Sequence, residues 1–199
     1  MKYQLVCKKC GAVIGSFADW FNQDQLCKCG SNHAEAVYTT DYRKLEELCS
    51  KDCHPDNFYH YYDFLPLDSD RDITSCGEGA VPIEEWHFLN RYASEKYGID
   101  CRVMVVRNDL NGGTGTFKDI AASLAATLFK QHGVGEYCLA STGNAATSYA
   151  TYLAKAGVRF DIFAPHDMYQ DSQDAIRATG QNLIVSEGGY GQAKSEAAE

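Results

Sequence analysis

From residue 101 onward the chain alternates short apolar runs with amphipathic stretches, and that rhythm narrows the folds open to it. The runs at 103–106, 137–140, 160–164 and 183–185 have the length and the apolar content of strands. Between them, 117–132, 145–156 and 172–179 repeat apolar residues at helical spacing, and Gly157 and Gly180 close the last two. Strand–helix–strand units with short links pair in parallel through right-handed crossovers. The expected fold class is therefore α/β, a Rossmann-like parallel sheet with helices on both faces. No internal repeat and no low-complexity tract interrupts it.

Two segments of this region carry chemistry. Asn111-Gly-Gly-Thr-Gly-Thr-Phe-Lys118-Asp119 sets one lysine at a helix start, just behind a flexible Gly/Thr turn. About one strand later, Ser141-Thr142-Gly143-Asn144-Ala145 is a short polar turn that opens the next helix. Alone, each reads as an ordinary helix start, a solvated lysine in one case and a cap in the other. Together, each between an expected strand and an expected helix, they fall at the carboxyl edge of a parallel sheet, where such sheets bind ligands. A lysine facing an anion-binding turn suits pyridoxal phosphate. The amine condenses with the cofactor aldehyde, and backbone N–H groups hold an anionic group.

At these residues the sequence resembles the fold type II pyridoxal-phosphate enzymes, and the threonine synthase family most closely. The first segment is similar to that family's Asn-Pro-Thr-Gly-Ser/Thr-Phe-Lys-Asp and the second to its Ser-Thr-Gly-Asn loop. Upstream, Phe64-Leu-Pro-Leu67 and Gly77-Glu-Gly-Ala-Val-Pro-Ile83 are similar to its Leu-Leu-Pro and Gly-Glu-Gly-x-Thr-Pro-Leu segments. The resemblance runs from about Cys7 to the last residue, with four motifs in the family's order. It implies that Lys118 holds the cofactor and serves as the base and that Asn144 hydrogen-bonds the cofactor's phenolic oxygen. Ser141, Thr142 and Gly143 would hold the substrate carboxylate. The implied reaction converts O-phosphohomoserine and water to threonine and phosphate, a lyase acting on a small amino-acid phosphate. Four departures bear on the substrate: Gly112-Gly113 where the family has one proline, Val81 for a threonine, Ile120 where arginine is common, and Ala145 where some members have threonine. Two other readings stay open. One is a related enzyme doing β-elimination or β-replacement on a serine-, threonine- or phosphoserine-type substrate. The other is a non-catalytic zinc-ribbon α/β binding module.

Nine cysteines, an odd and high number, argue against a disulfide framework. Cys7-x2-Cys10 and Cys27-x-Cys29 cluster near the N-terminus, and Gly11 and Gly30 suit the tight turns that aim paired thiolates at one ion. The expectation is a structural Zn2+ in a small β module over residues 1–40, with His33 able to replace one sulfur. Cys49-x3-Cys53-His54 reads as ordinary intracellular thiols.

Residues 41–75 read as a linker, with a helix over 40–49 capped by Thr40 or Asp41 and one apolar side from Leu45 and Leu48. The aromatic cluster 58–62 reads as packing onto the main domain, with His60 as scaffolding. A second helix is expected over 82–97, with Trp86, Leu89 and Tyr92 inward and Gly98 at its end. A net charge of −9 without a basic patch excludes a nucleic-acid or anionic-membrane surface. No run is long enough for a signal peptide or a membrane span, so a cytoplasmic protein is expected.

Residues 76–199 read as the N-terminal part of the cofactor domain, incomplete because the chain stops in a helical pattern at Lys194–Glu199. The resemblance implies that the phosphate loop and the pyridine-nitrogen partner lie further on. Gly188-Gly-Tyr-Gly191 reads as a strand-to-helix turn and not as that loop. The expectation is a fragment that is inactive alone and that joins a C-terminal half or a second copy of itself.

Overall fold

A computed structural model describes residues 2–50 and 55–199. Cys53 and His54, named above with Cys49, lie outside the described residues. The N-terminal part is a three-stranded antiparallel sheet of β1 (Tyr3–Cys7), β2 (Val13–Gly15) and β3 (Ala34–Tyr38), in the order β2-β1-β3. Tyr3, Leu5 and Cys7 alternate inward along β1, as the two-residue period of a strand dictates. A short helix, α1 (Phe17–Phe21), brings Trp20 into the same small core. Ser16 and Asp19 close a capping box at its start.

The segment that follows fastens this sheet to the rest. Helix α2 is confined to Arg43–Leu48, shorter than expected, and Asp41 Oδ1 accepts the Arg43 N–H at its start. The 58–64 aromatic stretch is a 3-10 turn. Its Tyr59 hydroxyl reaches Ser123 and Thr127 at 2.7 and 2.9 Å. The His60 ring meets the Leu48 carbonyl. Tyr59 packs with Leu65, Leu67 and Leu128.

The helix expected over 82–97 starts late. Ile83–Glu85 instead form β4, and α3 runs His87–Tyr97 with Gly98 closing it in the left-handed region. Tyr92 points outward, not inward. The reason is non-local: β4 pairs antiparallel with β5 (Met104–Val106), Ile83 opposite Val106 and Glu85 opposite Met104. That pairing also corrects the sheet. The 103–106 run belongs to a separate two-stranded sheet and not to the parallel one.

The parallel sheet has three strands in the order β6 (Glu136–Ala140), β7 (Arg159–Ala164) and β8 (Asn182–Val185). Before it runs α4 (Lys118–Gln131); α5 (Asn144–Ala156) and α6 (Gln170–Ala178) are its crossovers. Phe160 and Ile162 of β7 are fully buried with Ala146, Ala150, Leu153 and Ile176 of those two helices. Tyr137 and Leu139 of β6 join that core. Cys138, on the other face of β6, meets the Ala197 carbonyl just past α7 (Tyr190–Glu196). Helices therefore cover both faces. Among the described residues no helix is long and apolar enough to cross a membrane.

Candidate functional site

The lysine turn is held from inside. Asp119, fully buried, accepts the backbone N–H groups of Thr114 and Thr116 at 3.1 and 3.0 Å and the Thr114 hydroxyl at 2.7 Å. A carboxylate so surrounded folds the 111–119 segment into one shape. Asn111 completes it, donating to the Thr116 carbonyl at 2.7 Å and accepting from the Gly79 N–H at 2.8 Å. Asp119 thus has a local structural role.

The two glycines that replace the expected single proline are required by contact. A methyl on Gly112 would lie 2.6 Å from the Gly77 carbonyl carbon and 2.8 Å from the Glu78 nitrogen. Gly113 has φ +87°, and a methyl there would meet the Tyr152 hydroxyl at 2.5 Å. The lysine turn therefore presses backbone to backbone on the 76–78 segment.

Lys118 is the first residue of α4, and its N–H donates to the Thr116 hydroxyl at 3.2 Å. Its ammonium makes no ion pair or hydrogen bond among the described residues and lies 4.8 Å from the centre of the Phe117 ring. It does not sit at the carboxyl edge of the parallel sheet, since the turn follows β5 through a 3-10 turn at Asn108–Leu110. What brings it near that edge is α5. Ser148, fully buried one helical turn beyond Asn144, meets the hydroxyls of Thr114 at 2.9 Å and Thr116 at 3.3 Å.

The Ser141–Asn144 turn lies at the carboxyl end of β6, as expected. Ser141 is buried and its hydroxyl accepts the Ala146 N–H at 3.2 Å. Thr142 and Asn144 are exposed. The backbone N–H groups of residues 142–145 have no acceptor among the described residues, and the α5 start has no side-chain cap. Thr142 and Ala145 of this turn border a cleft of about 320 Å³, lined also by Leu139, Ala140, Ser141 and Tyr190. Lys118 and Asn144 are outside that lining, and no hydrogen bond among the described residues joins the Lys118 side chain to the turn. An amine with no hydrogen bond or ion pair among the described residues, and a row of unused N–H donors at a helix start, fit a cofactor that condenses with one and an anionic ligand held by the other. Gly188 and Gly189 lie in the turn between β8 and α7, and Tyr190 and Gly191 open α7.

One polar pair escaped the sequence reading. Glu78 is fully buried, and its Oε2 accepts the Tyr152 hydroxyl at 2.8 Å. Burial, with this carboxylate beside it, pushes the Tyr152 phenol well up. The available signal was an acidic residue set between two glycines.

At the other end of the chain, the sulfurs of Cys7, Cys10, Cys27 and Cys29 all lie within 4.8 Å of one another. Cys7 and Cys29 are 3.7 Å apart, as are Cys10 and Cys27. Tetrahedral Zn–S bonds of about 2.3 Å require sulfurs about 3.8 Å apart, so the set fits zinc. Gly11 and Gly30, at φ +72° and +77°, turn back to donate to the carbonyls of Cys7 and Cys27. The backbone N–H of Cys10 draws the Cys7 thiol down to about 6. Against the N–H of Ala12, the side chains of Cys29, Cys7 and Cys27 push Cys10 up to about 12, because sulfurs this close cannot all ionise without a cation. His33 is exposed and outside the group.

A threonine synthase of Methanocaldococcus jannaschii is 27% identical over 165 residues, 80% of this chain and 37% of that protein. A threonine synthase of Synechocystis sp. is 31% identical over 124 residues, 62% of this chain and 30% of that protein. This chain thus spans about a third of the length of such relatives. Cysteine synthase from Entamoeba histolytica superposes with a TM-score of 0.55 at 24% identity, over 66% of this chain and 41% of that one. Escherichia coli diaminopropionate ammonia lyase, in apo form, gives 0.53 at 19%, over 63% and 38%. These two likenesses bear on the fold, which is that of fold type II. The family described as pyridoxal-phosphate dependent enzyme matches residues 75–199, more than half of the sequence, and the chain belongs to it.

Proposed function

We propose that this chain provides the cofactor lysine and the substrate-carboxylate turn of an enzyme of threonine synthase type. The observation that carries the reading is the junction of the two motifs on Ser148, which sets the Lys118 amine and the unused N–H groups of residues 142–145 on neighbouring elements. Bound pyridoxal phosphate supplies an aldehyde for the lysine and a ring that stabilises negative charge at the substrate α carbon. Lys118 holds the cofactor, and once released its amine takes and returns protons at the α and β carbons. The N–H groups of Thr142 and Gly143 and the Ser141 hydroxyl orient the substrate carboxylate. Asn144 donates to the cofactor's phenolic oxygen. The proposed substrate is O-phosphohomoserine, which loses phosphate from its γ carbon and gains water at its β carbon. The names of the curated relatives support that choice.

Borohydride reduction with pyridoxal phosphate, followed by peptide mass spectrometry, should place the phosphopyridoxyl group on Lys118. A label on Lys130 or Lys155 instead would defeat the assignment. Calorimetric titration of the loaded chain tests the substrate class. O-phosphohomoserine should bind more tightly than serine, threonine or O-phosphoserine. Preferential binding of one of the latter would favour β-elimination or β-replacement. The four N-terminal cysteines are proposed to hold one structural Zn2+, supported by their sulfur separations.

A further inference from the structure

Glu78 has no part in the chemistry proposed above, yet it is fully buried. A carboxylate taken out of water is costly, and packing alone is served better by an apolar side chain of the same size. What a carboxylate adds is direction. Besides the Tyr152 hydroxyl at 2.8 Å, Oε2 accepts the Cys76 N–H at 2.8 Å and the Ser75 hydroxyl at 3.1 Å. Oε1 is buried and has no hydrogen-bond partner among the described residues.

The neighbours of Glu78 show what is being directed. Tyr152 lies on α5, two helical turns beyond Asn144, so fixing its hydroxyl fixes the position of α5 along its axis. The next residue, Gly79, donates to Asn111, and Asn111 donates to Thr116 in the lysine turn. The backbone of Gly112 lies against Gly77 and Glu78 themselves, with no room for a Cβ. The 75–79 segment thus grips α5 through the buried Glu78–Tyr152 bond and, at its exposed edge, through the Ser75 carbonyl, which accepts from the Lys155 ammonium at 2.6 Å, while Gly79 grips the lysine turn.

We propose that Glu78 is a positioning residue: through Tyr152 it sets α5 against the lysine turn, so that Asn144 and Lys118 address the same cofactor. The proposal rests on the roles given to Lys118 and Asn144 above. The test measures labelling of Lys118 by pyridoxal phosphate and borohydride as a function of cofactor concentration, with no turnover needed. Four chains are compared: the parent, Asn144→Ala, Glu78→Gln and the double variant. Tyr152→Phe is added because it leaves Glu78 its bonds to Cys76 and Ser75, and thermal melting confirms that each chain folds.

Each single variant, Tyr152→Phe included, should raise the half-saturating cofactor concentration about tenfold. The double variant should be no worse than either single, because Glu78 acts through the placement of Asn144. Labelling of Glu78→Gln and Tyr152→Phe at the parent's concentration would overturn the proposal. So would single effects that multiply in the double variant, since independent damage behaves that way. No label on Lys118 in the parent, or no effect of Asn144→Ala, would overturn the underlying reading and this inference with it.

Discussion

Thr114 and Ser148 share a hydroxyl–hydroxyl hydrogen bond of 2.9 Å across the seam between the lysine turn and α5. Ser148 is fully buried and serves Thr116 as well. Ser148→Ala leaves Thr114 its bond to Asp119 but removes the two hydroxyl bonds that Ser148 makes across the seam. Urea unfolding should show a loss of about 1–2 kcal/mol. An unchanged midpoint would mean that the seam does not depend on this hydroxyl.

Asp119 should be the more sensitive position. Asn offers one acceptor oxygen where the carboxylate serves two backbone N–H groups and a hydroxyl. Asp119→Asn should cost about 2–4 kcal/mol in the same measurement, because donors are left facing an amide N–H₂ inside the protein. A cost no larger than that of Ser148→Ala would contradict this account.

The glycines give a graded prediction. Gly112→Ala drives a methyl into the 77–78 backbone, which has no side chain to yield. Gly133 also has positive φ, +67°, but faces open space. Gly133→Ala should cost about 1–2 kcal/mol, the steric penalty of the left-handed region. Gly112→Ala should exceed about 3 kcal/mol or yield no soluble chain. Equal midpoints for the two variants would count against the close backbone approach.

Zinc content can be measured directly. The purified chain should carry about one equivalent by elemental analysis, and Cys7→Ser and Cys27→Ser should each lose it. Trp20 is buried beside Cys7 and Cys27, so a strong chelator should shift its fluorescence to the red. Labelling of Lys118 should survive the chelator. A metal-free parent, or variants with full zinc, would remove the site.

Asp161 provides a pH test. The Asn182 amide at 2.9 Å and the Arg159 guanidinium at 3.2 Å hold its carboxyl below the ordinary carboxylate range. A lowered folded value stabilises above the unfolded pKa of about 4, and the gain is lost as pH falls through the folded value. The parent should therefore exceed Asp161→Asn by under about 1 kcal/mol at pH 6, given the exposure of Arg159. That advantage should vanish toward pH 2. A difference constant across the range would assign it to packing.

What the sequence disclosed followed how local each cause was. Helices α4, α5 and α6 and strands β6, β7 and β8 declare themselves by period and by glycine stops, because each is shaped by its own residues and one buried face. Ile83–Glu85 did not. Trp86, Leu89 and Tyr92 carry a helical spacing, and only pairing with Met104–Val106, some twenty residues away, draws the preceding three residues into a strand. The site divides in the same way. Lys118 and Ser141–Asn144 stand out as motifs, whereas the bonds of Asp119 to Thr114 and Thr116 depend on how the turn folds back on it. Glu78 looks like a solvated acid and Tyr152 like one more helix aromatic until the fold joins them across 74 positions.

The two sheets differ in how long they should keep their amide protons. Strand β7 lies between two partners, and its Phe160, Ile162 and Ala164 are sealed from water. Among the described residues, strands β4 and β5 pair only with each other, and Ile83, Met104 and Val106 stand more than half exposed on one face. Deuterium should therefore enter Ile83–Glu85 and Met104–Val106 early and β7 late, at a rate set by opening of the whole parallel layer. The residues flanking the lysine turn on its N-terminal side would then breathe while Ser148 still holds the turn to α5, leaving the site anchored on the slowest-exchanging part of the molecule.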